Sequence, residues 1–205
     1  MSRPRLPAAV LEDRVVAIAR GLDPARLPGV ADALAAAGLR VLEVTLDSPD
    51  ALGAIERLAA AGHVVGAGTV LSLRDAADAL AAGAAFLVAP HTDVDVVRWA
   101  SSRDVPAMPG ALTPTEVMTA WNAGAAAVKI FPASVAGPAL VRELQGPLGF
   151  VPLVPSGGVT AENARALLDA GAVAVGLGSW LTGCPQDQVT SRARALRSTL
   201  TDGRS

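Results

Sequence analysis

The sequence predicts an α/β protein, a (β/α)8 TIM barrel formed as a single domain over residues 1–205, and three observations carry that expectation. Eight short apolar runs recur at intervals of roughly 20 to 25 residues. Between them lie alanine-rich amphipathic stretches that fit helices of three or four turns. The punctuation repeats too, with a glycine just ahead of the next apolar run. Strand and helix in strict alternation imply a parallel sheet, with a doubly wound open sheet as the alternative to the barrel.

Taken in order, residues 1–14 read as a short N-terminal extension. The runs that follow are VVAIA (15–19), VLEVTL (41–46), HVVGAG (63–68), AFLVA (85–89), VPAMP (105–109), AVKIF (127–131), VPLVPS (151–156) and VAVGLG (173–178). Their length and composition suit strands buried on both faces. Helix starts are marked by Ser48 before Pro49, by Ser72, and by Thr113 before Pro114 with Glu116 at the capping-box spacing. Helix ends are marked by Gly38, Gly62, Gly83, Gly124 and Gly171, each placed to take the left-handed conformation that stops a helix. A last helix is expected over about 186–201, with SRARALRS as its solvated face.

Composition narrows the partners. The formal charge is −2 and the basic residues form no block, so neither nucleic acid nor an acidic membrane surface is expected to bind. A small-molecule ligand is expected instead. The one cysteine, Cys184, cannot form an internal disulfide, and no cluster of His, Asp and Glu suggests a metal site. With a single cysteine and no signal-like or membrane-spanning apolar stretch, a cytoplasmic protein is the expectation. His63 opens the third strand and reads as structural, whereas His91 follows Pro90 on the opposite, functional end.

In a barrel the functional end is where strands terminate. There the sequence places its most unusual residue. Sixteen of seventeen basic side chains are arginine, and the single lysine, Lys129, lies inside the apolar run AVKIF. Arginine keeps its proton, but a lysine in dry surroundings can lose it and become a nucleophile toward a ketone. Strand alternation puts Ala127, Lys129 and Phe131 on one face. Glu43 is the one carboxylate inside any of the eight runs, and a buried carboxylate near a cation suits proton transfer. Gly157, Gly158, Gly178 and Ser179 follow strands seven and eight, where backbone N–H groups in barrels often hold phosphate.

The ordered motifs VLEVTL, GAGTV, KIFPAS, PSGG and GSWL resemble those of the 2-keto-3-deoxy-6-phosphogluconate (KDPG)/4-hydroxy-2-oxoglutarate (KHG) aldolase family, from about Val15 to Leu181. The resemblance implies a class I pyruvate aldolase that cleaves a 2-keto-3-deoxy sugar acid. It makes Lys129 the Schiff-base lysine and Glu43 the proton carrier. It gives Thr69 a share in holding the pyruvate carboxylate, and Pro90 and Phe131 the pocket wall. Ser156 stands where the family has threonine, and Gly157, Gly158, Gly178 and Ser179 would receive the distal end of the substrate. A homotrimer is expected from the same resemblance. One departure stands out: many members carry arginine four residues after the glutamate, where this chain has Asp47. Arg20, at the end of the first strand, is the candidate substitute, as in members resembling the 6-phosphogalactonate branch. A phosphate-ligand barrel transferase and a non-catalytic barrel scaffold are the rival readings.

Overall fold

A computed structural model describes residues 3–201. All strand pairing is parallel and falls into two sheets, of order β5-β4-β3-β2-β1-β9 and β6-β7-β8. The strands are β1 (Val15–Ala19), β2 (Val41–Thr45), β3 (Val64–Gly68), β4 (Leu87–Val88), β5 (Ala107–Met108), β6 (Gly110–Ala111), β7 (Val128–Ile130), β8 (Leu153–Pro155) and β9 (Val175–Leu177). The run VPAMP (105–109) yields only β5, because Pro109 has no N–H to give to a ladder, and β6 begins just beyond the run at Gly110. The two sheets meet at both edges. Val173 N donates to Leu153 O at 3.0 Å, and Ser156 bridges Gly176. At the other edge Ala126 N, just ahead of β7, donates to Ala107 O of β5 at 2.9 Å.

Helices follow the strands as α2 (Leu27–Ala36), α3 (Ala51–Ala60), α4 (Leu73–Ala81), α5 (Val94–Ser101), α6 (Pro114–Ala123), α7 (Ala133–Leu148), α8 (Ala161–Asp169), α9 (Ser179–Thr182) and α10 (Gln186–Thr201). All five helix-ending glycines take positive φ. Ser72 caps α4, and Thr113 with Glu116 forms the expected capping box on α6. Ser48 does not cap α3. That helix begins later, after Asp50, and the Ser48 hydroxyl accepts instead from Gly21 N at 2.8 Å. The stretch read as an N-terminal extension contains a helix, α1 (Ala8–Asp13).

Strand alternation sorts the apolar residues into two clusters. The outward residues, such as Val15, Leu42, Val65, Val128 and Leu153, pack against the helices. The inward ones, Val16, Val41, Phe86, Val88, Met108 and Val154, pack with one another and with Leu6, Ala9 and Val10 from the chain start. α1 therefore closes the end of the sheets where the strands begin. Burying these side chains removes apolar surface from water at roughly 25 cal/mol per Å². Gly66 makes the inner cluster possible, because a methyl there would lie 2.2 Å from the Phe86 ring. Among the described residues no helix is long and apolar enough to cross a membrane, and no group of three or more metal-ligating side chains is present.

Candidate active site

The inner faces change character toward the strand ends. On β2, Glu43 lies two residues beyond Val41 and so points the same way. On β7, Lys129 stands in the same relation to Ala127. Both are buried, at 2% and 5% exposure. Together with Ile18, Ser156 and Gly176 they line one internal cavity, which offers about 10 Å³ to the centre of a water molecule. That is about the room one water requires.

Glu43 fits because its neighbours make space. A methyl on Gly68 would lie 2.0 Å from Glu43 Oε1, so the glycine of GAGT is the residue that admits the carboxylate. Oε1 is buried without a hydrogen-bond partner among the described residues, a costly state that marks it as an acceptor in waiting. Burial pushes the Glu43 carboxyl above its ordinary range. The charges of Lys129 and Arg20 pull it back down, and Asp47 adds to the upward push.

Above this cavity opens a pocket of about 310 Å³, which Lys129, Ile18 and Ser156 also line. Its other walls are Arg20, Phe131 and the turns at Gly157, Gly158, Gly178 and Ser179. The Phe131 ring centroid lies 5.0 Å from Lys129 Nζ, within cation–π reach. Gly157 sits at φ 87, and a methyl there would meet the Phe131 ring at 2.9 Å. Arg20 Nη1 donates to Asp47 Oδ2 at 2.5 Å and Nη2 to Thr69 Oγ1 at 3.0 Å. A buried amine, a proton-holding carboxyl and a gap between them for water are what addition to a ketone followed by proton transfer requires.

The model of the KDPG and KHG aldolase family matches residues 8–194. The chain belongs to this family. It is 37% identical over 181 residues to the probable 2-dehydro-3-deoxy-6-phosphogalactonate aldolase of Rhizobium meliloti (strain 1021), covering 86% of this chain and 85% of that one. It is 40% identical over 155 residues to the 2-dehydro-3-deoxy-phosphogluconate aldolase of Pseudomonas aeruginosa, covering 74% and 70%. The KDPG aldolase of Legionella pneumophila, solved with pyruvate captured as a covalent carbinolamine, superposes with a TM-score of 0.80 at 26% identity over 98% of this chain and 99% of that one.

For this aldolase-family chain the sequence-predicted residues converge. Lys129, Arg20, Phe131, Ser156, Gly157, Gly158, Gly178 and Ser179 line one pocket, Glu43 lies beneath it, and Thr69 is tied to it through Arg20. Pro90 stands apart. It lines a neighbouring pocket of about 290 Å³ with His91, on which Phe131 also borders. Its carbonyl is so close to Gly110 that a methyl there would lie 2.2 Å away. His63 pairs with Asp32 at 3.4 Å, at the start of β3 and far along the strand from Gly68. Ile18, Val159, Thr160 and Trp180 line the site but were not anticipated. Ile18 was findable, because it faces inward one turn of the pleat past Val16.

Proposed function

We propose that this chain is a class I, Schiff-base aldolase that cleaves a 2-keto-3-deoxy sugar acid to pyruvate and an aldehyde. The observation that carries it is the shared, water-sized cavity between Lys129 and Glu43 beneath an open pocket. Lys129, as its free amine, attacks the C2 ketone to give a carbinolamine, whose hydroxyl leaves as water with a proton from the Glu43 carboxyl, so that an iminium and the Glu43 carboxylate remain. Glu43, through one water, takes the proton of the C4 hydroxyl as the C3–C4 bond breaks. The bonding electrons pass into the iminium, an enamine of pyruvate remains, and the aldehyde departs. Protonation at C3 and hydrolysis release pyruvate and restore the amine.

In this reading Arg20 and Thr69 hold the pyruvate carboxylate, Phe131 bounds the reacting carbons, with Pro90 contributing from the neighbouring pocket that Phe131 borders, and Ser156 adds a hydroxyl beside them. The turns at Gly157, Gly158, Gly178 and Ser179 receive the distal end, where backbone N–H groups suit an anion. The substrate is 2-dehydro-3-deoxy-6-phosphogluconate or 4-hydroxy-2-oxoglutarate, giving glyceraldehyde 3-phosphate or glyoxylate. The 6-phosphogalactonate analogue is the alternative, and the 37% identity to a relative of that name supports keeping it. The two sheets are read as one closed (β/α)8 barrel, a single domain over the described residues 3–201, supported by hydrogen bonds at both edges. A cytoplasmic homotrimer without metal or cofactor completes the proposal.

A coupled pyruvate-release assay over the three substrates and their unphosphorylated forms tests it. Pyruvate release from at least one is expected. No release from any, by protein that is folded by circular dichroism, contradicts it.

A further inference from the structure

Asp47 is left unexplained by that mechanism, since a carboxylate near the mouth would repel a 2-oxo acid. Its surroundings assign it a task. The Arg20–Asp47 contact, at 2.5 Å, joins two half-exposed side chains, 53% and 46% open to solvent. The same guanidinium reaches Thr69 Oγ1 at 3.0 Å. Thr69 itself sits at φ 58, a backbone conformation that β-branched residues rarely adopt.

The next residue grips the same place a second time. Ser48 Oγ accepts from Gly21 N at 2.8 Å and bonds the buried Thr45 hydroxyl at 2.9 Å. Asp47 and Ser48 thus fix Arg20–Gly21 through both side chain and backbone. Arg20 lines the 310 Å³ pocket beside Lys129, and Asp47 does not. A long, half-exposed arginine has many rotamers to lose, so an acceptor that pins one of them prepares it for its ligand. A guanidinium has five N–H donors, so two held contacts leave others free to bind.

We infer that Asp47 is a positioning residue that holds the Arg20 guanidinium beside Thr69, so that the two form a ready seat for the substrate's carboxylate. This rests on the aldolase reading and adds to it. Asp47 touches no substrate and reaches the carboxylate seat through Arg20. Arg20 and Asp47 pull on Glu43 in opposite directions, as a paired cation and anion at the mouth should.

The test uses the full chain, pyruvate and borohydride, and reads two quantities: the pyruvate concentration giving half-maximal labelling of Lys129, and the final extent of labelling. Asp47→Ala should raise the first about tenfold and leave the second unchanged. Asp47→Asn keeps an acceptor for Nη1 and should stay within about threefold of the unaltered protein. In an Arg20→Ala background, Asp47→Ala should add nothing further. An Asp47→Ala protein that half-saturates within about threefold of the parent, or a tenfold rise that persists without Arg20, overturns the inference while leaving the aldolase reading intact. Unaltered protein that takes no label at all overturns the aldolase reading itself, and the inference with it.

Discussion

The two ends of the inner face use the same strands for opposite purposes. Where the strands begin, Val16, Val41 and Val154 meet Phe86 and the α1 residue Val10 in a wholly apolar cluster. Two residues further along, β2 presents Glu43, the residue just past β8 is Ser156, and β7 presents Lys129 two residues past Ala127. Backbone pairing is continuous between the two levels. The difference teaches that the fold's stability and its chemistry are stacked in adjacent layers. The apolar layer keeps the reactive one dry from below, while the pocket opens it from above.

If the layers divide the labour in this way, substitutions should separate activity from stability. The largest effect is expected from Lys129→Arg, which keeps the charge but offers no free amine for a Schiff base. Aldol cleavage should fall by roughly 10⁴-fold or more, with little change in the melting temperature. Steady-state pyruvate release and a thermal melt on the same preparation check both halves of that statement.

Glu43→Gln comes next. Loss of a proton carrier should lower the cleavage rate by roughly 10²- to 10⁴-fold. Its effect on stability has a definite sign. Burial raises the folded-state pKa of Glu43 above its unfolded value, so the folded protein holds the proton more tightly. The resulting stability is fully present below the ordinary glutamate range, near about pH 4.3, and is lost as pH rises through the raised folded value. Glu43→Gln should flatten that decline, so denaturant titrations across the acid-to-neutral range should show the variant gaining on the parent as pH rises.

Phe86→Ala probes the other layer. Removing the ring from the apolar cluster should cost about 3–5 kcal/mol of stability. Protein that remains folded in the cold should still be labelled at Lys129 by pyruvate and borohydride. A loss of labelling without loss of stability would break the division between the layers. The smallest effect is expected from Gly68→Ala, whose methyl would lie 2.0 Å from Glu43 Oε1 and displace the carboxylate. A misplacement of that size should slow cleavage about 10²-fold, read as a fall in kcat.

Much of this was legible beforehand, for reasons that are local. Gly38 and Gly62 announce helix ends because a positive φ is a property of one residue. Lys129 stood out because the chain otherwise uses only arginine, and Glu43 because no other apolar run holds a carboxylate. Other features were not legible, because they depend on contacts between distant segments. LPAAVLED became a helix that seals the strand starts only where the inner faces of several strands meet. Ser48 had the sequence of a helix cap, yet Gly21 N, 27 positions away, claimed its hydroxyl.

The central claim is that Lys129 forms a covalent bond with the 2-oxo acid. As the sole lysine it permits a direct measurement: incubation with pyruvate, reduction with borohydride, digestion with trypsin and mass spectrometry. Unmodified protein is cut after Arg103, Lys129 and Arg142. A reduced adduct should block the middle cut and yield one peptide spanning 104–142 that carries the added pyruvyl group. Complete cleavage after Lys129, with no added mass in protein that releases pyruvate from its substrate, would contradict the account.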